Sequence, residues 1–402
     1  MSTQYGRRVS IALKYSGSIG GKKLAERLSE YTYTDPATGE SDVCSLKFFN
    51  ADQELMKKTP KRGDRFDVAI MLTDWNKDGT VDVIEQGTFC CDDKTYKGWP
   101  LDCTIQGTSI PEKQAFHVQA RSRTWEYITI SEAAGEICGR YGLTLVYDGP
   151  DVMIEAVEQS EETDSAFLKK LCESYGLNIK VYSGKVAIYD AVIYEKKPAA
   201  YRVKLQDCSS WTYNTTMVGV YTGATIQYTE GENNDEYTVQ VGGGPRILNV
   251  SEHVKSLEEA VLKAAAKVNK ENRGEETFRC TIPGQPGLYS GRCFKLVGAP
   301  EIAGKYFIDR LSHRITASGA YTIDIEAHKV QKAVMAYGVA DDDDDDDDYS
   351  YDFEESDEDA AERNRAFSDP SNMGLSLEEY ERNRGFFKPI FVPELDLDEW
   401  TH

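Results

Sequence analysis

The stretch DWNKDGTVDVIE, residues 74 to 85, places oxygen-bearing side chains where a twelve-residue calcium loop needs them. Asp74, Asn76, Asp78, Asp82 and Glu85 stand at loop positions 1, 3, 5, 9 and 12, and Gly79 stands where the chain has to turn sharply. Hard cations favour such oxygen sets, so the first expectation to weigh is a calcium-binding module. The flanks speak against it. FDVAIML before the loop and VDVIEQGTF after it alternate apolar and polar residues, which is the period of strands rather than helices. On an extended strand Glu85 lies about 16 Å from the Asp78–Gly79 turn, too far to close on an ion held there. The sequence therefore predicts a β-hairpin tip, with Asp74, Asn76 and Asp78 as weak loop candidates for a cation and Glu85 outside the set.

Other chemistry-bearing patterns are sparse. The sequence has no G-x-S-x-G, H-E-x-x-H or phosphate-binding P-loop, and Gly242-Gly243-Gly244-Pro245 follows a strand without opening a helix, so it reads as a turn. The histidines His117, His253, His313, His328 and His402 stand singly, and His313 and His328 sit inside alternating strand patterns. The acid pairs Glu161-Glu162 and Glu258-Glu259 are expected at helix starts, where carboxylates suit the helix dipole. No catalytic residue, resident metal or cofactor is expected. Nine scattered cysteines without a C-x-x-C pair read as reduced, mostly buried thiols of a cytosolic product.

The elements that would carry these residues fall into segments. Residues 5–110 read as short strands with turns between them: RRVSIALKY alternates Val9, Ile11, Leu13 and Tyr15, and DPATGESD (35–42) separates YTYT from VCSLKFFN. That spacing predicts a small antiparallel barrel or sandwich. Residues 111–192 change period. Thr129 and Glu132 form a capping box before a stripe of Ala134, Ile137, Cys138 and Tyr141 that ends at Gly142. A second helix carries Phe167, Leu168, Leu171 and Tyr175 before Gly176, and each helix runs into a Tyr-Gly-Leu strand, 34 residues apart. Residues 193–332 return to strands, interrupted by a helix expected to start at a Ser256–Glu259 capping box and to bury Leu257, Val261, Leu262, Ala265 and Val268, with Lys263, Lys267 and Lys270 opposite.

Charge divides the chain. Residues 341–402 hold 23 acids against 5 bases, a net of −18 of the chain's −22, which leaves residues 1–340 near −4. Eight successive aspartates from Asp341 repel one another and bury nothing, so residues 333–402 read as a disordered acidic tail. ERNRAF (362–367) recurs there as ERNRGF (381–386), and a possible docking segment, 377–400, carries Phe386, Phe387, Phe391 and Trp400. The nearly balanced body has no basic face that composition would assign to sequence-specific nucleic-acid binding. The start lacks the apolar core of a signal peptide and no apolar run approaches the length of a membrane span, so a soluble product without a membrane partner is expected.

The run RTWEYITISEAAGEICGRYGLTLVYDG, followed by EQSEETDSAFLKKLCESYGLNIKVYSG, resembles the late control protein D family, the baseplate hub proteins of contractile phage tails and related injection particles. The family pattern falls on Gln159, Ser160, Thr163, Asp164, Phe167 and Leu168, with Gly142 and Gly176 beginning the two strands. TDPATGESDVCSLKF and PKRGDRFDVAI are similar to the first barrel of such hubs, and IPGQPGLYSGRCFKLVG and KYFIDRLSHRI to the end of the second, so the resemblance covers residues 5–330. It implies a mainly β chain, two tube-type antiparallel barrels flanking a small α/β domain, and a structural role adapting a sixfold tail tube to a trimeric spike. The implied partners are two further copies in a homotrimer, the tail tube protein, the central spike protein and the baseplate wedge components, within a virion or injection particle assembled in the bacterial cytoplasm. A cell-wall-degrading tail-tip enzyme is the other alternative, and the 62-residue acidic tail is too short to supply its catalytic domain.

Overall fold

The computed structural model describes residues 6–15, 19–58, 60–75, 79–99, 101–109, 115–182, 184–230 and 235–334. Asn76, Asp78, the acidic run from Asp341 and the segment carrying Phe386, Phe387, Phe391 and Trp400 lie outside them.

Six strands come first: β1 (Arg8–Lys14), β2 (Leu28–Pro36), β3 (Val43–Phe49), β4 (Arg65–Thr73), β5 (Val81–Lys97) and β6 (Asp102–Thr108), with short helices α1 (Gly21–Ala25) and α2 (Glu54–Lys58). They pair antiparallel in the order β1-β4-β5-β6-β3-β2. Val9, Ile11 and Leu13 face the core as their alternation predicts. β5 runs 17 residues, longer than the expected VDVIEQGTF, because register shifts at Val68/Ala69 and Cys91/Asp93 bend it: its first half pairs with β4 and its second with β6. Gly107 on β6 leaves room for that curl; a Cβ there would sit 2.6 Å from the Phe66 ring and 3.2 Å from Cys44 Sγ.

The middle segment holds α3 (Ala115–Val118), β7 (Ala120–Thr129), α4 (Ile130–Tyr141), β8 (Thr144–Asp148), β9 (Met153–Thr163), α5 (Asp164–Ser174), β10 (Leu177–Tyr182), β11 (Lys185–Asp190) and α6 (Ala191–Lys196). Both expected helix–strand units are present. Thr129 caps α4 in a full capping box with Glu132, and Gly142 ends the helix at φ 68°, a left-handed position that favours glycine. β10, β11 and β8 form a three-stranded sheet, while β7 and β9 make a separate ribbon. Helices and sheet enclose one core, with Trp125 stacked on Phe167 at 5.8 Å. Glu161 departs from expectation: it sits on the ribbon at φ 50°, ahead of the Thr163 cap rather than in a helix.

The last segment contains β12 (Tyr201–Lys204), β13 (Ser210–Thr215), β14 (Gly223–Glu230), β15 (Asp235–Gly242), β16 (Ile247–Val254), α7 (Leu257–Asn272), β17 (Glu276–Pro283), β18 (Cys293–Val297), β19 (Gly304–Thr316) and β20 (Tyr321–Lys329). These strands divide. β14, β15 and β16 form a small sheet whose core closes against α7. The others join the first six strands in one 12-stranded sheet, linked by β19 against β2 from Arg310↔Pro36 to Thr316↔Glu30. Ten of the strands expected as two barrels therefore lie on one hydrogen-bonded path, with β18 and β12 branching from β19, and these twelve share one apolar core, from Phe48 and Phe89 through to Phe278 and Phe294. Among the described residues β1 and β13 end that path.

α7 corrects the sequence reading. Its buried face is alanine-rich, with Ala260, Ala264 and Val268 at helical spacing, and Leu257 is 46% exposed. Ser256 caps the helix through the Glu259 N–H, but the Glu259 carboxylate turns to the Tyr175 hydroxyl (2.7 Å) instead of back to the cap. Lys263 is half-buried beside the Tyr175 ring and bridges Glu259 at 3.0 Å, so it belongs to a packed seam rather than to a solvated basic face. Small residues let α7 approach its neighbours closely: a Cβ on Gly176 would stand 3.2 Å from that of Ala266.

Candidate assembly faces and the buried ionic seams behind them

The calcium-like stretch is the tip of the β4–β5 hairpin. Thr73 pairs with Val81 and Ala69 with Glu85, which puts Glu85 four residues, about 13 Å, along the strand from Val81. Asp74, at φ 55°, accepts the Gly79 N–H at 2.7 Å and lies 3.7 Å from the Arg8 guanidinium. Its carboxylate thus closes the turn. Among the described residues no group of three or more His, Cys, Asp or Glu is arranged to hold a metal.

The family-pattern residues gather around Asp164, the first residue of α5, which is fully buried. Its carboxylate accepts hydrogen bonds from Gln159 Nε2 (2.8 Å), the Tyr141 hydroxyl (2.6 Å) and Arg140 Nη1 (2.6 Å), and Arg121 Nε stands 3.4 Å away. Burial pushes its pKa up, but the Gln159 and Tyr141 donors and the Arg140 charge outweigh that and hold it below the usual carboxylate range. Gln159 also donates to the Glu162 carbonyl at 3.1 Å, which fixes the chain as it enters α5. Phe167 and Leu168 point into the core one turn later, and Ser160 is exposed on the ribbon. The pattern therefore marks a structural node joining β9, α4 and α5.

A second node joins all three segments. The loop after β2 packs along β10: Gly39 N–H donates to the Ile179 carbonyl (2.8 Å), Ile179 N–H to Thr38 Oγ1 (3.2 Å), and the Tyr189 hydroxyl to the Ala37 carbonyl (2.7 Å). Beneath it Lys180 Nζ pairs with Asp35 Oδ1 and stands 3.2 Å from Ser290 Oγ and 3.7 Å from Asp42 Oδ1. Ser290 donates to Asp35 through both its N–H (3.0 Å) and its hydroxyl (2.9 Å). Burial opposes the Lys180 charge, yet Asp35 and Asp42 raise its pKa and keep it an ammonium. Asp42 is pushed up to about 7 by burial, against the pull of Lys180. In the sequence, residues 35–42 read as a plain turn; two aspartates in a turn are too common to announce a partner some 140 residues away.

A third node lies at the other edge of β20. His328 Nδ1 is 2.9 Å from both Asp309 oxygens, His328 Nε2 is 3.4 Å from Glu195, and Arg273 Nε meets the same Glu195 oxygen at 2.7 Å. Burial lowers the His328 pKa, but Asp309 and Glu195 raise it to about 9, so the imidazolium is its neutral-pH form. The described cysteines are free thiols, seven of them buried.

Several large apolar side chains are exposed outside these nodes. Tyr127 (77% exposed, φ 50°) and Met153 lie on the β7–β9 ribbon; Trp211, Met217 and Val218 lie on and after the terminal strand β13; Phe49, Met56 and Trp99 lie at the end of the first six strands. Single exposed apolar residues are ordinary, but grouped ones mark interaction surfaces. Their exposure was not legible in the sequence, because a single apolar residue in a strand or turn carries no sign of whether folding covers it.

No model of a known family matches the sequence. Two curated relatives do. The "Probable baseplate hub protein" of Escherichia phage 186 is 24% identical over 261 residues, 63% of this chain and 64% of its own length. The "Probable baseplate hub protein" of Escherichia phage P2 is 24% identical over 211 residues, 51% of this chain and 52% of its own. The matched part thus spans between half and two thirds of each relative. Among solved structures, the 43 kDa tail protein of prophage MuSo2 from Shewanella oneidensis superposes with a TM-score of 0.59 at 15% identity, over 80% of this chain and 98% of that one. A tail protein from Neisseria meningitidis MC58 gives 0.59 at 11%, over 81% and 97%. The chain has the fold of these tail proteins, and the resemblance to baseplate hubs read from its sequence is also found in its relatives' names.

Proposed function

We propose that this chain, a relative of baseplate hub proteins with the fold of phage tail proteins, is the structural hub of a contractile tail or tail-like injection particle. The observation that carries the reading is the likeness to two relatives named baseplate hub proteins, and the fold shared with nearly the whole length of two tail proteins accords with it. In this reading residues 5–110 and 193–332 supply two tube-type barrels, residues 111–192 the α/β domain between them, and 333–402 a tail. Three copies form a ring that meets the tail tube on one side and the central spike on the other, with wedge components around it, as part of the virion baseplate.

The ionic nodes suit that role. A hub carries load between partners, and the Asp35–Lys180–Ser290 node ties first, middle and last segments into one body. We assign the chain no catalytic step: Asp164, Lys180 and His328, three of the buried ionised groups among the described residues, are each committed to a partner of opposite charge. The near-neutral body fits a lumen through which cargo passes without being held by phosphate contacts.

The test is to delete the gene in its native particle-forming strain and image the particles. The expected outcome is loss of assembled tails, restored by the intact gene, with gold-labelled antibody against the chain decorating the tube–spike junction. Normal particles from the deletion strain, or particles lacking the chain, would overturn the assignment.

A further inference from the structure

Several cations in the 12-stranded sheet are matched by acids across the strands. Arg279 stands directly opposite Glu326 with 3.7 Å between their charges, Arg314 reaches Glu30 at 2.9 Å and Lys329 reaches Glu276 at 2.8 Å. The branch formed by β12, β18 and β19 is built differently. β12 runs parallel to β18 with Arg202 opposite Lys295, and β18 runs antiparallel to β19 with Lys295 opposite Lys305. Residues in register share a face, so three cations form one row across three adjacent strands, about 10 Å from end to end. Lys204, two residues beyond Arg202, adds a fourth on the same face. Burial follows the alternation: Arg202, Lys204 and Lys295 are exposed and Lys305 is half-buried, while Val203, Leu296 and Tyr306 are buried.

No acid balances the row. Among the described residues none of the four cations makes an ion pair. Glu195, whose field reaches Lys305, is committed to His328 and Arg273. Asp207 and Glu301, exposed in the segments after β12 and β18, pair with none of the four. The neighbouring cations are engaged: Lys197 lies 4.0 Å from Asp148, and the Arg292 guanidinium lies over the Tyr289 ring. Like charges directly opposite each other destabilise a sheet, and a row of three imposes that cost twice. Burial adds to it at Lys305, whose ammonium is pushed below its usual range.

Such a row suits a partner that brings negative charge at matching spacing, as phosphates or as carboxylates. A nucleic-acid strand is held by cations together with aromatic side chains on which its bases stack. Here Tyr201 and Tyr306 lie with Phe294 on the opposite, core face, and Phe307 on the row's own face is buried. The face therefore favours carboxylates. Acids one helical turn apart, or on alternate residues of a strand, stand about 5–7 Å from one another, close to the spacing of the row.

We propose that Arg202, Lys295 and Lys305, with Lys204 beside them, form a docking row for an acidic segment of a partner protein. Its carboxylates supply the missing cross-strand counter-charges and relieve the repulsion. The row belongs to the isolated chain, so it stands or falls separately from the hub assignment.

The probe is fluorescein-labelled polyglutamate of about twenty residues, titrated with the full chain at low salt and followed by anisotropy. The wild type and Lys295→Arg should bind it alike, and Lys295→Glu should bind it about tenfold more weakly. Lys22→Glu, the same change at an exposed lysine of α1, should weaken binding less than about twofold. Sodium chloride at about 0.5 M should reduce wild-type binding to the level of Lys295→Glu. Urea midpoints of the free proteins separate docking from a structural role: Lys295→Glu should be at least as stable as the wild type, because two repulsions become attractions. Equal binding by Lys295→Glu and the wild type, or a lower urea midpoint in the variant, overturns the proposal. So does failure of the wild type to bind the probe, the result expected if this chain or a second copy already covers the row. Tighter binding of labelled oligothymidine that is lost in Lys295→Glu also overturns it, by assigning the row to nucleic acid.

Discussion

Asp164 and Asp35 are both buried carboxylates held by a cation and two neutral donor groups, yet one belongs to a node legible in the sequence and the other does not. Asp164 takes its hydrogen bonds from Gln159, Tyr141 and Arg140, all within 24 residues, with Arg121, 43 residues back, at 3.4 Å. Asp35 takes its partners from Lys180 and Ser290, 145 and 255 residues away. The first node therefore organises one segment from within, and the second fastens three segments to one another. The difference teaches where cohesion of the body resides: in long-range charge pairs that no local pattern announces.

The sharpest way to break that contrast is Lys180→Met. Removing one partner of a buried pair leaves the other charge unneutralised, at a cost of about 3–5 kcal/mol. Urea unfolding should give that loss, and adding Asp35→Asn to the same chain should recover part of it, because the stranded charge goes too. A cost below about 1 kcal/mol for Lys180→Met would mean that the Asp35 node fastens nothing.

Titration of His328 probes the other long-range node by pH. The pKa of His328 is raised in the fold to about 9, from an unfolded value near 6.5. Its contribution is therefore complete below about pH 6.5 and is lost as pH rises to about 9, amounting to roughly 3 kcal/mol across that window. Denaturant midpoints measured from pH 6 to pH 9.5 should fall accordingly, and His328→Gln should flatten the profile. An unchanged slope in the variant would show that Asp309 and Glu195 do not hold the imidazolium.

These two nodes also explain what could be read in advance. The α4 cap, the Gly142 stop and the buried stripes of both helices follow from side chains three or four residues apart, and they are legible. The mainly β character follows from alternation. The joining of β2 to β19 does not, although Thr34 and Ser312 share a hydrogen bond across 278 residues, because strand pairing depends on register between distant segments. The α7 face was legible in part: Ala265 and Val268 are buried and Val261 packs against the same core, but Ala260 and Ala264 carry the face and Leu257 lies outside it. The exposure of Phe49, Met56 and Trp99 had no sequence signal.

The smallest effect is expected where the sequence was most legible. Asp164→Asn keeps the shape of the side chain and an oxygen able to accept from Gln159 or Tyr141, but it removes the charge that faces Arg140 and Arg121. The expected cost is about 1–3 kcal/mol, below that of Lys180→Met, because Arg140 is partly exposed and still pairs with Glu136 at 3.2 Å. The location of the damage matters more than its size. Exchange should quicken in α4, α5 and the β7–β9 ribbon, which converge on Asp164, while β2 and β19 keep their protection. If Asp164→Asn instead loosened β2 and β19, the two nodes would be one cooperative unit, and the distinction between inner organisation and fastening would fail.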